Sequence, residues 1–297
     1  MIKKFWVLLT ICAIAFSSCK REDRDLVQIE DEAIQAFLMN NGLTSKFTKD
    51  SLGYYYQVLE EGEGDTLKKH DAAFFFLGMK TLTGESIKAT SGMLVNSDVN
   101  TFMPNLNMVE LGKVYYITPK GLKEVLLKSK YGEKLRVIMP SYLMFGKDGY
   151  NTTVTGNTIL DLTIDVIKGK NQTEAEDAIL QSHLDKQSEE YIKDSEGFYY
   201  HIVEQGTGNK VEYGSSVKVA YTGSFLNGQV FDSASKDSPF DVVVTNGYVI
   251  KGWVLALQKM NVGGKMKVVF PSYLAYGTNG SGAIPPNTPI QFEIEIL

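Results

Sequence analysis

Cysteine is nearly absent. Only Cys12 and Cys19 occur in a chain of 297 residues, which excludes the disulfide framework that small secreted domains use in place of a large core. Histidine is almost as scarce. His70, His183 and His201 are scattered, with no cysteine cluster and no spaced His/Glu pair, so neither a metal site nor a cofactor is expected. Surplus positive charge is missing as well: Lys and Arg number 30 against 35 Asp and Glu, a net charge of -5. That balance points away from nucleic acid and leaves peptides as the partner class. The apolar run from Phe5 to Phe16 reaches only ~18 Å as a helix, against a hydrocarbon core of ~30 Å, too short for a stable membrane anchor.

That run reads instead as a processing signal. Lys3 and Lys4 form a basic start, the apolar run follows, and Phe16-Ser17-Ser18-Cys19 leads into a polar stretch from Lys20 to Asp25. The string ending at Cys19 resembles a bacterial lipobox, which implies a signal peptide over residues 1–18 and a lipid on Cys19 that holds the chain to a membrane. Removing Cys12, Lys3 and Lys4 leaves Cys19 unpaired and changes the formal charge by two, from -5 to -7. The expected location is the cell envelope, at the outer membrane facing the periplasm. Lys20-Arg21-Glu22-Asp23 resembles an export tag of surface lipoproteins and keeps surface exposure open.

The chain also repeats itself. SLGYYYQVLEEGEGD from Ser51 is echoed by SEGFYYHIVEQGTGN from Ser195, an offset of 195 minus 51, or 144. KGLKEVLLKSKYGEKLRVIMPSYLMFG from Lys120 is echoed by KGWVLALQKMNVGGKMKVVFPSYLAYG from Lys251, an offset of 131. The difference places about thirteen extra residues in the first copy, between Lys88 and Thr118. Met93 to Val95 and Thr101 to Leu106 mix apolar residues with Asn and Asp there, suiting either a packed extended loop or a partner surface. A helix precedes each copy: Leu26, Ile29, Ala33 and Phe37 recur at helical spacing before Asn41-Gly42, and Thr173 with Glu176 makes a capping-box pattern ahead of Leu180 and Leu184. Within the copies, alternating stretches such as Ser216 to Tyr221, Lys265 to Phe270 and Ile290 to Ile296 predict strands, and Gly252 to Lys259 a short helix. The predicted fold class is α+β, with two antiparallel sheets each wrapped around one short helix. The divisions are 19–49 for tether and helix, 50–169 for the first copy, 170–194 for a linker helix and 195–297 for the second.

In the second copy five strings follow in order: Tyr221-Thr222-Gly223, Phe231-Asp232-Ser233-Ala234, Val249-Ile250-Lys251-Gly252-Trp253, Ala275-Tyr276-Gly277, and IPPNTPIQFEIEIL from Ile284. Together they resemble the FKBP-type peptidyl-prolyl cis/trans isomerases. The resemblance implies a proline pocket with Trp253 as floor and Tyr221, Phe231, Phe240, Val249, Ile250 and Phe292 as sides. It further implies that the Ile250 backbone N–H and the Tyr276 hydroxyl hold peptide carbonyls, that Asp232 sits at the rim as an acceptor, and that Ile284 closes the slot from above. No cofactor or metal is implied, and the partners are proline-containing peptides or unfolded client proteins.

Carried back to the first copy, the same alignment sets Phe76 at Tyr221, Ile87 at Phe231, Lys88 at Asp232, Pro119 at Ile250, Leu122 at Trp253, Phe145 at Tyr276 and Leu162 at Phe292. Apolar bulk survives while polar function is lost, since proline has no backbone N–H to give. The first copy is expected to be degenerate, serving as spacer, dimer surface or peptide-binding module, and a homodimer stays open. Two readings without catalysis stand beside the isomerase: an envelope scaffold, such as an accessory lipoprotein of a secretion or motility machine, and a general chaperone.

Overall fold

The computed structural model describes residues 25–68, 70–87, 94–96, 108–110, 113–115, 119–150 and 154–297. Residues 1–18, Cys19, Lys88 and the stretch Thr101 to Leu106 lie outside them. Among the described residues no helix is long and apolar enough to cross a membrane.

The two copies share one topology. In the second, antiparallel strands run in the order Ile192–Lys193, Tyr199–Glu204, Lys265–Phe270, Ile290–Ile296, Ser216–Phe225, Val230–Ala234, and Phe240–Val243 pairs beside the start of Ser216–Phe225. The first repeats this order with Thr48–Lys49, Tyr55–Glu60, Lys134–Met139, Leu160–Val166, Ala73–Thr81 and Ser86–Ile87, and Leu94–Asn96 takes the place of Phe240–Val243. Leu94–Asn96 therefore belongs to the sheet, and the extra residues of the first copy fall between 96 and 119. Two of their segments, Met108–Glu110 and Lys113–Tyr115, pair with each other.

A helix of seven residues covers the inner face of each sheet: α2, Lys120–Leu126, and α4, Lys251–Leu257. Its approach is set by glycine at equivalent places, 252 minus 131 being 121. A Cβ on Gly252 would lie 2.6 Å from the Phe270 ring, and one on Gly121 would lie 2.4 Å from Met139 Sδ. Without a side chain there, the helix backbone rests directly on the strand that follows it.

The longer helices, α1 (Leu26–Asn40) and α3 (Gln172–Leu184), dock on the sheets by the same device. In α1 the buried residues are Glu30, Ile34 and Leu38, whereas Leu26, Ile29 and Ala33 are exposed; the apolar spacing that predicted the helix does not mark its inner face. The reason is polar. Glu30 accepts hydrogen bonds from the Ser141 backbone N–H at 2.8 Å and from its hydroxyl at 2.5 Å, and its neighbour Asp31 accepts from the Tyr55 hydroxyl at 2.8 Å. In α3, Glu176 receives Ser272 N–H at 2.5 Å and its hydroxyl at 2.6 Å, and Asp177 receives the Tyr199 hydroxyl at 2.8 Å. Glu176 thus is no capping-box partner of Thr173. The N-cap is Asn171, whose side chain accepts from Glu174 N–H while Glu174 reaches back to the Lys170 N–H.

A second face of α3 meets the first copy. Ala175 is buried with Phe74 and Ile167, and Phe76, Ala178 and Ile179 pack around them, while Leu180 and Leu184 cluster with Tyr199 and Val269 of the second copy. The run Phe74-Phe75-Phe76 follows from this. Phe75 points to the inner core and its two neighbours point outward beneath α3.

Replacing Gly252 with Ala should test the close approach. Alanine favours a helix by about 1 kcal/mol over glycine, yet the clash with Phe270 should outweigh this and lower unfolding stability by a net of about 1–3 kcal/mol. Urea denaturation followed by Trp fluorescence measures it, and a stabilised variant would show that the helix can lift away.

Candidate functional site

The slot lies between the inner face of the second sheet and α4. Strand Ser216–Phe225 alternates its side chains, so Val219, Tyr221 and Gly223 face inward. Tyr221 pairs with Ile294, and Gly223 with Phe292. Gly223 has to be small: a Cβ there would lie 2.6 Å from the Phe292 ring and 2.8 Å from the Phe231 ring. The hairpin that follows carries a register shift between Gly223 and Ser224, which leaves Phe231 between Val230 and Asp232 as an unpaired residue. Its ring stands edge-on to Phe292 at 5.8 Å.

Trp253 comes from the first turn of α4, is 4% exposed, and receives Tyr221 at 5.0 Å and 89° and Phe292 at 5.3 Å and 82°. These are edge-to-face contacts, the geometry aromatic quadrupoles favour. The indole Nε1 is buried and has no hydrogen-bond partner among the described residues. Between these rings is a cavity of about 350 Å³ lined by Tyr221, Asp232, Phe240, Tyr248, Val249, Ile250, Trp253, Tyr276 and Phe292. Of the ten residues singled out in the sequence, eight line it. Phe231 backs Phe292, and Ile284 is buried in the core beneath the loop. Tyr248 went unnoticed. It stacks on Phe240 at 6.4 Å and 22° and donates to the Asp241 carbonyl at 3.1 Å, and its signal was its place immediately before Val249-Ile250.

The polar groups of the slot are coupled. Tyr221 donates to Asp232 Oδ2 at 2.6 Å, and burial, then this bond to Asp232, pushes the Tyr221 hydroxyl well above an ordinary tyrosine. Burial, followed by the Asp232 charge, also raises Tyr276. Both phenols therefore stay protonated donors across the physiological range.

The same place in the first copy is filled. Leu162 pairs with Val137 as Phe292 pairs with Val268. Ile164, two residues on, pairs with Leu77, so Leu77 stands at the position of Tyr221. Phe76, which the alignment had put there, faces outward toward α3, one residue out of phase. Met79 takes the position of Gly223 and pairs with Ile87 without a bulge. Leu122, Met79, Ile87, Leu162 and Phe145 are all buried in one core. Tyr150 joins them, its ring 5.0 Å from Phe145, where the second copy has the exposed Ser281. Pro119 is the N-cap of α2, as Ile250 is of α4, and offers no N–H.

An antiparallel sheet closed over a two-turn helix, with an aromatic slot between them, defines the class of the second copy. The FKBP-type peptidyl-prolyl cis-trans isomerase family is matched by residues 207–297. FK506-binding protein 4 of Chaetomium thermophilum is 44% identical over 92 residues, 31% of this chain and 19% of that protein. The FKBP-type peptidyl-prolyl cis-trans isomerase FkpA of Aeromonas hydrophila is 41% identical over 109 residues, 36% of this chain and 40% of that one. FK506-binding protein 1 of Dictyostelium discoideum is 41% identical over 98 residues, which cover 32% of this chain and 92% of that protein. The chain belongs to the FKBP-type peptidyl-prolyl cis-trans isomerase family. It spans about a fifth of the length of the first curated relatives it matches.

The Tyr221–Asp232 bond carries a pH signature. A hydroxyl whose folded pKa is raised contributes stability that is whole below the unfolded tyrosine value of about 10 and is lost as pH climbs through the folded value. Tyr221→Phe should accordingly flatten the loss of stability above pH 10 relative to the unaltered chain. Denaturant midpoints across that range decide it, and identical alkaline slopes would show that the hydroxyl is not held.

Proposed function

We propose that the second copy catalyses cis/trans isomerisation of Xaa-Pro bonds in peptides and unfolded proteins, in the slot floored by Trp253. The observation that carries this reading is the convergence of Tyr221, Asp232, Phe240, Val249, Ile250, Trp253, Tyr276 and Phe292 on one cavity. Rotation about a prolyl bond is opposed by amide resonance, with a barrier of ~18–20 kcal/mol, and takes tens to hundreds of seconds unaided. No bond to the protein need form. The planar amide carries a large charge separation, and twisting the C–N bond reduces it, so an apolar wall stripped of water raises the planar form relative to the twisted one. In this reading the pyrrolidine ring lies on the Trp253 face between Tyr221, Phe240, Val249 and Phe292, with Phe231 supporting Phe292. The Ile250 N–H and the Tyr276 hydroxyl donate to peptide carbonyls, and Asp232, already held by Tyr221, is the acceptor at the rim. Ile284 stiffens the loop overhead.

The filled interior of the first copy and its Pro119 support a role without turnover there, as a platform for the second. Taken as domains, the copies are 50–169 and 195–297. The string ending at Cys19 supports lipid attachment and an envelope location, with clients that are folding proteins whose slow prolyl steps limit them.

Exchange spectroscopy on a short Xaa-Pro peptide tests the activity. The unaltered chain should accelerate exchange, and Trp253→Ala should lower kcat/KM about 30-fold, the equivalent of ~2 kcal/mol. Tyr221→Phe, which keeps the ring and loses the bond to Asp232, should cost about three- to tenfold. Background exchange with the unaltered chain would overturn the proposal in favour of a scaffold.

A further inference from the structure

The segment from Ser272 to Asn287 carries Tyr276, which lines the slot, and Ile284, which is buried in the core beside it, and both ends of that segment are tied to α3, outside the sheet that holds the slot. At the near end Glu176 takes both hydrogens of Ser272, the N–H at 2.5 Å and the hydroxyl at 2.6 Å. Glu176 and Ser272 are both fully buried. At the far end Gln172 Nε2 donates to Asn287 Oδ1 at 3.1 Å. The same nitrogen reaches Glu176 Oε1 at 2.7 Å and Ser272 Oγ at 3.3 Å, so one side chain joins the two legs. Asn287 has φ 52, a left-handed conformation in which asparagine is tolerated. Its N–H donates to the Gly277 carbonyl at 2.9 Å, and Gly277 N–H donates to that of Ser272 at 2.8 Å. The legs are thus cross-braced immediately beside Tyr276.

The first copy supplies an internal comparison. It keeps the near tie, Glu30 to Ser141, and the brace, with Asn157 N–H on Gly146 and Gly146 N–H on Ser141, both at 2.8 Å. The far tie has no counterpart among the described residues. The position of Gln172 is Leu26, 172 minus 146, and Leu26 is exposed. Hence the Glu–Ser bond accompanies the docking of either helix, whereas the Gln172–Asn287 bond occurs in the copy that has an open slot.

From this we infer that Gln172 is a positioning residue for the prolyl site, acting with Glu176 to hold the Tyr276 loop in its working geometry from a helix whose other face is seated on the first copy. Ala175, Ala178 and Ile179 against Phe74 and Phe76 fix α3 on that side. The copy without a slot thereby contributes to the one that has it. A loop already ordered need not lose freedom when peptide binds, and that saving appears in affinity. The inference rests on the slot being the prolyl site.

Gln172→Leu in the full chain, which copies the first repeat, is the test. It should raise KM and lower kcat/KM about three- to tenfold, the loss of one hydrogen bond, with kcat and the thermal midpoint little changed. Its amide resonances for Tyr276, Ile284 and Asn287 should shift and broaden. Glu30→Gln, which weakens the near tie of the first copy alone, should leave KM unchanged. Wild-type KM together with unshifted loop amides in Gln172→Leu would overturn the inference, as would a lowered midpoint with KM unchanged, the mark of a structural role. If the unaltered chain shows no turnover, the isomerase reading fails by itself, and the loop amides still decide whether Gln172 positions the loop.

Discussion

A helix of two turns cannot cover a sheet, and the organisation of both copies follows from that mismatch. Seven residues span about 10 Å, whereas the strands behind them run six, seven and ten residues. Glycine at the first turn brings the helix backbone onto one strand, and the remaining inner surface has to be filled by large side chains. In the second copy those are rings that meet edge to face, and rings so arranged leave a gap at their common edge. In the first copy Leu122, Met79 and Leu162 pack with Tyr150 into a continuous core. Slot and solid interior are two solutions of one packing problem, separated by a few substitutions of which Gly223 against Met79 is the most direct.

The preceding helices are bound by a different force. Burying a carboxylate costs several kcal/mol unless its oxygens are satisfied, and burial does push the Glu176 carboxyl up, against the bonds from Ser272 and Gln172 that pull it down. Each buried Glu receives an N–H and an O–H from a single serine, which fixes direction as well as distance. That explains why α1 turns Leu26 and Ile29 to the outside: a hydrogen-bonded carboxylate with a defined partner sets the rotation of the helix, and the apolar residues follow. The repeating unit thus comprises a helix and its sheet, with Glu30, Asp31 and Ile34 answering to Glu176, Asp177 and Leu180 at a constant offset of 146.

Much of this was legible in the sequence, and the parts that were not have identifiable causes. The repeat, the strand alternation and the ordered strings of the second copy led to two antiparallel sheets, each around one short helix, and to eight of the residues lining the cavity. What escaped were matters of register and face. Phe76 and Leu77 are adjacent and both apolar, and setting Phe76 at Tyr221 departs by one residue from the offset of 144 that sets Ile87 at Phe231; that offset points to Leu77, and the pairing of Leu77 with Ile164 turns it inward. Apolar spacing in α1 and the Thr173–Glu176 pattern both misled because a buried carboxylate is indistinguishable, in sequence, from a solvated one. Tyr248 is marked in the sequence by nothing but its place before Val249-Ile250, and it joins the slot through its stack on Phe240.

The outward-facing Phe74 and Phe76 also impose an order of events on synthesis. Residues up to Val166 are enough to complete the first sheet, yet at that moment two phenylalanines still lack their cover, which arrives only with α3. In the second copy the corresponding outward positions are Lys218 and Ala220, and that sheet can finish in water. A chain emerging from its N-terminus therefore passes through a brief sticky interval that ends when α3 folds down. The helix that closes this interval is the one that then receives Ser272, so the earlier half is made safe by the segment on which the later half assembles.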